Sequence, residues 1–101
     1  MSKREELLNK LKRQIDQWNE EIKDLELKSK EVNEKSKEKY QETIELLKIQ
    51  RDEAKERLKA LEKVSESAWE DLKQQTESAF MRLKQAFKEA KDNFNNNKKD
   101  E

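Results

Sequence analysis

The chain has 101 residues, with 24 Lys+Arg balanced by 24 Asp+Glu; 48% of residues are charged, 31% are apolar, and Gly, Pro, Cys and His are absent. That length holds one domain at most. The missing residue types exclude a disulfide framework, thiol chemistry and a zinc ribbon. They also exclude the commonest general base and metal ligand and the glycine-rich loops that cradle phosphates.

More than half the residues are Ala, Glu, Lys, Leu or Arg, the composition of long helices and coiled coils. β-branched residues and turn formers are too few for a sheet. Balanced charge argues against disorder, which usually accompanies a large net charge. No apolar run is long enough to span a bilayer, and Met1–Glu6 has no hydrophobic signal core, so the expected location is cytoplasmic.

In chain order, Ser2 with Glu5 three residues on writes a capping box that starts a helix. An apolar stripe follows at alternating steps of three and four: Leu8, Leu11, Ile15, Trp18, Ile22, Leu25, Ser29, Val32. This is the spacing of a heptad seam. Leu7 borders the stripe and Leu27 falls off it. The stripe passes Ser36, steps by four to Tyr40 and Ile44, and resumes as Leu47, Arg51, Ala54, Leu58 and Leu61. Taken from Leu8 to Phe94 the seam averages close to 3.6 residues per step, which predicts a nearly straight helix. The wholly polar Asn33–Lys39 reads as a solvated stretch of one unbroken helix, residues 3–63, rather than as a hairpin tip. Leu46 and Ile49 lie well off the seam, so this segment has a second apolar face that needs a second neighbour.

Val64-Ser65-Glu66-Ser67-Ala68-Trp69-Glu70 is the expected break. Ser67 with Glu70 forms a capping box, and Ser65 with Val64 and Trp69 forms a cap with a hydrophobic staple. A second helix, 67–94, then carries Trp69, Phe80, Phe87 and Phe94 along one line. Leu72, Leu83 and Ala90 lie beside that line, and Ala68, Ala79 and Ala86 form the far edge. Residues 95–101 read as a disordered tail.

The expected fold is all-α: a single domain over 1–94, a long helix followed by a shorter one folding back as a helical hairpin or coiled coil. Residues 8–32 would then lack an intramolecular partner, which favours a homo-oligomer, in the first place an antiparallel dimer. A three-helix bundle turning near 33–39 and an unbroken helix in parallel coils are the alternatives. The residues expected at the interfaces are Leu8, Leu11, Ile15, Trp18, Ile22, Leu25, Val32, Tyr40, Leu47, Leu58, Leu61, Trp69, Leu72, Phe80, Leu83 and Phe87.

The segments Trp18-Asn-Glu-Glu-Ile-Lys-Asp-Leu-Glu26 and Ala68-Trp-Glu-Asp-Leu-Lys73, with Arg51-Asp-Glu-Ala-Lys55 between them, resemble the W-N-x-E-I-x-x-L-E and A-W-E-D-L-K pattern of a group of small, uncharacterised bacterial coiled-coil proteins. The likeness covers most of residues 1–94. Those proteins often carry a glycine before the second motif, where this chain has Ser65-Glu66-Ser67. The resemblance implies a shape and no chemistry.

Catalysis would have to use carboxylates, Lys, Tyr40 or hydroxyls. Glu20, Glu21 and Asp24, with Asp16 a turn earlier, are the densest carboxylate cluster, but cation binding or acid–base work needs a concave site. No catalytic residue, metal or cofactor is expected. The basic patches Lys35–Lys39 and Lys84–Lys88–Lys91 are interrupted or flanked by acids, and zero net charge attracts phosphate weakly, so nucleic acid is not an expected partner. Residues 68–94 form an aromatic amphipathic helix of the kind that lies on membranes, but five bases against five acids fit a protein core better. The sequence thus reads as a non-enzymatic, self-associating scaffold or adaptor, with reversible lipid-surface binding through 68–94 as the rival.

Overall fold

The computed structural model describes residues 2–99, with side chains described as far as Phe94. Its elements are three helices: α1 (Lys3–Ser29), α2 (Glu34–Lys63) and α3 (Glu66–Lys99). Among the described residues there is no strand, and no helix is long and apolar enough to cross a membrane.

α1 begins as its sequence indicates. Ser2 is extended, and its hydroxyl accepts the Glu5 amide at 3.2 Å. That bond satisfies one of the amides a helix start leaves without a partner. α1 ends in a tightened last turn, in which the amides of Lys30 and Glu31 donate to the carbonyls of Leu27 and Lys28. The buried Ser29 hydroxyl donates to the Glu26 carbonyl at 2.7 Å.

The unbroken helix expected over 3–63 is therefore corrected: the chain turns at residues 30–33. The physical reason is Asn33. It takes an extended conformation, its side-chain oxygen accepts the Ser36 amide at 3.0 Å, and its carbonyl accepts from Ser36 and Lys37. Asn is among the strongest N-cap residues, and a short polar turn needs no Gly when no residue adopts a positive φ, as here. Glu34–Lys39 is helical as expected, but it opens α2 instead of continuing α1.

The second turn falls at Val64–Ser65, inside the expected segment. Val64 is extended, the Ala68 amide donates to the Ser65 carbonyl, and the Ser65 and Ser67 hydroxyls lie 3.1 Å apart. Val64 and Trp69, the staple pair, are both half-buried against the core. α3 starts at Glu66 and runs to Lys99, longer at its C-terminus than the expected 67–94. Helix thus replaces most of the expected disordered tail 95–101, whose last two residues lie outside the described ones.

The chain runs up, down and up, within a body of 53 × 21 × 16 Å. The first seam therefore has intramolecular partners, contrary to expectation. Lys12 pairs with Glu62, Asn19 accepts from Arg51, and Lys48 pairs with Glu26, in the antiparallel register of α1 and α2. Glu21 pairs with Lys91 in the parallel register of α1 and α3. One core runs the length of the molecule. Leu11, Ile15, Trp18, Ile22, Leu25, Tyr40, Leu47, Leu58, Leu61, Phe80, Leu83 and Phe87, named above as interface residues, are all buried in it. Leu8, Val32, Trp69 and Leu72, the other four, are half-buried against it. Burial of such side chains stabilises by roughly 1.5–3 kcal/mol each before chain entropy is subtracted.

Two contacts lock the ends. Tyr40 stacks on Phe94 with ring centroids 3.7 Å apart, and its hydroxyl donates to the Phe94 carbonyl at 3.2 Å. At the other end, the Arg4 guanidinium donates to the carbonyls of Glu62 and Val64, at 3.3 and 2.8 Å, and lies 4.5 Å from the Trp69 ring centroid. It thus caps the negative C-terminus of α2 and adds a cation–π contact.

Candidate functional site

α2 lies close against both other helices, whereas the backbones of α1 and α3 approach each other less. Large side chains bridge that gap. Trp18 stacks on Phe87 with centroids 5.6 Å apart and tilts against Phe80 at 5.2 Å. Toward solvent the gap stays open as two adjoining hollows of about 600 and 540 Å³, which share Gln14, Met81 and Lys84. Leu7, Leu11, Trp18, Phe80 and Phe87 give the cleft an apolar floor, and Met81, 73% exposed, stands at its rim.

The cleft walls are polar and biased toward positive charge. Lys10, Lys84, Lys88 and Lys91 line it, against Glu21 and Glu77, with Gln14, Gln17, Gln74 and Gln85 between them. Glu21 is already engaged by Lys91. The acids beside the Lys84–Lys88–Lys91 patch in sequence, Glu89 and Asp92, are not among the lining residues, and Glu89 accepts from the lining Gln85 at 3.4 Å. Zero net charge over the whole chain therefore conceals a locally basic cleft. An apolar floor between flexible polar walls suits another helix, laid in as a fourth neighbour.

A smaller notch of about 290 Å³ lies on the opposite flank, between α2 and α3, lined by Gln50, Glu53, Arg57 and Arg82 among others. The Gln50 side-chain oxygen is buried there without a hydrogen-bond partner. The carboxylate cluster at Glu20, Glu21 and Asp24 does not converge. Glu20 turns to Lys23 on its own helix and Glu21 to Lys91. Among the described residues no group of His, Cys, Asp or Glu has a metal-holding arrangement.

The aromatic line of α3, weighed above as a membrane-binding face, points inward. Phe80, Phe87 and Phe94 are buried and Trp69 is half-buried. The surface apolar residues lie elsewhere: Leu27, Leu46, Ile49 and Met81. The second face expected at Leu46 and Ile49 lies on the surface, the two residues being 54% and 56% exposed. Sequence reading marked Leu7 and the lysines but missed Lys10, Met81 and the glutamines. Their signal is positional: they flank the seams on the sides where α1 and α3 face each other.

Fold and cleft together define a protein that is helical throughout its described elements and carries a solvent-open, basic, apolar-floored cleft. No protein-family model matches the chain, and neither a curated protein nor a solved structure matches it.

Proposed function

We propose that the chain is a non-enzymatic helical protein, a single-chain three-helix bundle that acts in the cytoplasm as a scaffold or adaptor by associating with copies of itself. On its two tryptophan motifs it is proposed to stand beside the small bacterial coiled-coil proteins it resembles. The observation that carries the reading is the α1/α3 cleft, with Leu7 and Met81 left open to solvent, in part or in full, between polar walls. Light scattering over a wide concentration range tests it. The mass is expected to rise above the 12.2 kDa of one chain. A constant single-chain mass contradicts self-association.

The lipid-surface rival would require α3 to leave the core and expose Phe80 and Phe87, at a cost of several buried aromatic contacts. Vesicles with anionic headgroups are expected to leave tryptophan fluorescence unchanged. A blue shift would favour the rival.

A further inference from the structure

Resting on the self-association reading above, we propose that the α1/α3 cleft of one copy receives the outward face of α2 from a second copy. Directly opposite its core stripe, α2 carries Glu38, Glu42, Glu45, Ile49, Asp52 and Glu56. Their alternating steps of four and three place them on one straight line along the helix. All six are exposed, and Leu46 lies beside Ile49. The line is acidic at both ends and apolar at its centre. The cleft has the complementary pattern, lysines along the rim of an apolar floor with Met81 at the middle of α3.

The lengths agree as well. Glu38 to Glu56 spans about 27 Å of helix, and the cleft from Gln74 to Lys91 about 26 Å. α1 and α3 run parallel, so α2 of a copy in the same orientation runs antiparallel to both, the arrangement it already has inside its own molecule and the one that opposes the helix dipoles. Glu45 pairs with the half-buried Lys48 and Glu56 with the exposed Lys59, at 3.8 Å each, and Asp52 pairs with Arg51. The carboxylates of all three pairs are exposed, and surface pairs of this kind hold weakly and yield to partners across an interface.

The cleft and the acidic face lie on opposite sides of the molecule. The contact is therefore between unlike surfaces, and copies add one behind another in an open row instead of closing as a twofold dimer. The pairing also accounts for Leu46 and Ile49, which are surface apolar residues with no cover in the single chain.

Sedimentation velocity on the full chain and two variants tests the pairing. Lys84→Glu/Lys88→Glu reverses the cleft and leaves α2 intact; Leu46→Glu/Ile49→Glu removes the apolar centre of α2 and leaves the cleft intact. All four positions are exposed, so both variants keep the helical circular dichroism of the parent. The parent is expected to grow beyond a dimer with concentration, and less so as salt rises from about 20 to about 500 mM. Each variant alone is expected to sediment as a single chain. Their equimolar mixture is expected to stop at twice that mass, because it holds one working cleft and one working α2 face. If the parent assembles and both variants assemble equally well, self-association stands and the cleft–α2 pairing is overturned. A parent that halts at a closed dimer, or a mixture that stays monomeric, also overturns it. A parent that never assembles removes both readings.

Discussion

The two flanks of α3 use the same core in opposite ways. Toward the middle of α2, α3 presents small residues beside Leu83: Ala79 lines the same notch as Ala54, and Ala90 is buried. The helices approach closely there, and the hollows that remain, of about 290 and 450 Å³, are lined mainly by polar side chains such as Gln50, Arg57, Gln74 and Arg82. Toward α1 the residues are large, and Trp18, Phe80 and Phe87 act as spacers that fill the interior but leave the outer edge open. Side-chain volume at a few positions thus decides how closely each pair of helices approaches and which flank keeps an apolar floor for another helix. A chain with few apolar residues reaches one continuous core by placing aromatics where the helices stand apart, Trp18, Phe80 and Phe87 between α1 and α3, and by closing the far end of α2 on α3 with the Tyr40–Phe94 stack.

Four substitutions break or sharpen that contrast. The largest effect is expected from Trp18→Ala, which removes the spacer between α1 and α3; by analogy with other large-to-small core changes it should cost about 3–5 kcal/mol, read as a lower urea midpoint. Ala90→Leu overfills the close flank and should cost about 1–3 kcal/mol, measured the same way. A neutral result there would mean that α2 and α3 are not tightly apposed. Tyr40→Phe keeps the stack on Phe94 but removes the hydroxyl that donates to its carbonyl, for an expected loss of about 1 kcal/mol. Met81→Asp, at an exposed rim position, should change stability by less than about 0.5 kcal/mol. It should nevertheless weaken self-association, which separates the cleft's role in assembly from its role in the fold.

Much of this contrast was legible in the sequence, and the places where it was not are physically informative. The seam from Leu8 through Leu61 and the aromatic line of α3 coincide with the core because burial follows the 3.6-residue period whatever the partner is. What periodicity does not specify is which helix covers the stripe. The turn at Val64–Ser65 was visible because a serine cap and a staple coincide there. The turn at residues 30–33 was not, because Asn33 is followed at the third position by Ser36 instead of the Glu or Gln of a capping box. The apolar stripe also continues nearly in phase across it, from Ser29 through Val32 to Tyr40. Missing that turn turned a chain that covers its own seam into one that needed a partner's helix. The cleft was only half legible. Lys84, Lys88 and Lys91 stood out, but counting charge along the sequence set Glu89 and Asp92 beside them and left out Lys10, which α1 brings to the same cleft. The Arg4 contacts had no local signal, since its partners lie some 60 positions away.

The central claim is that one chain hides its own seam, and the distance between the starts of α1 and α3 tests it most directly. Glu5 and Glu70 are exposed and lie next to Arg4 and Trp69, which touch. Spin labels at Glu5→Cys and Glu70→Cys, in a chain diluted into an excess of unlabelled protein, report that distance by double electron–electron resonance. The expected result is a single short distance of about 10–25 Å, set by adjacent helix axes and the label arms. A separation of about 80 Å, as along a helix unbroken from residue 3 to residue 63, would contradict the account.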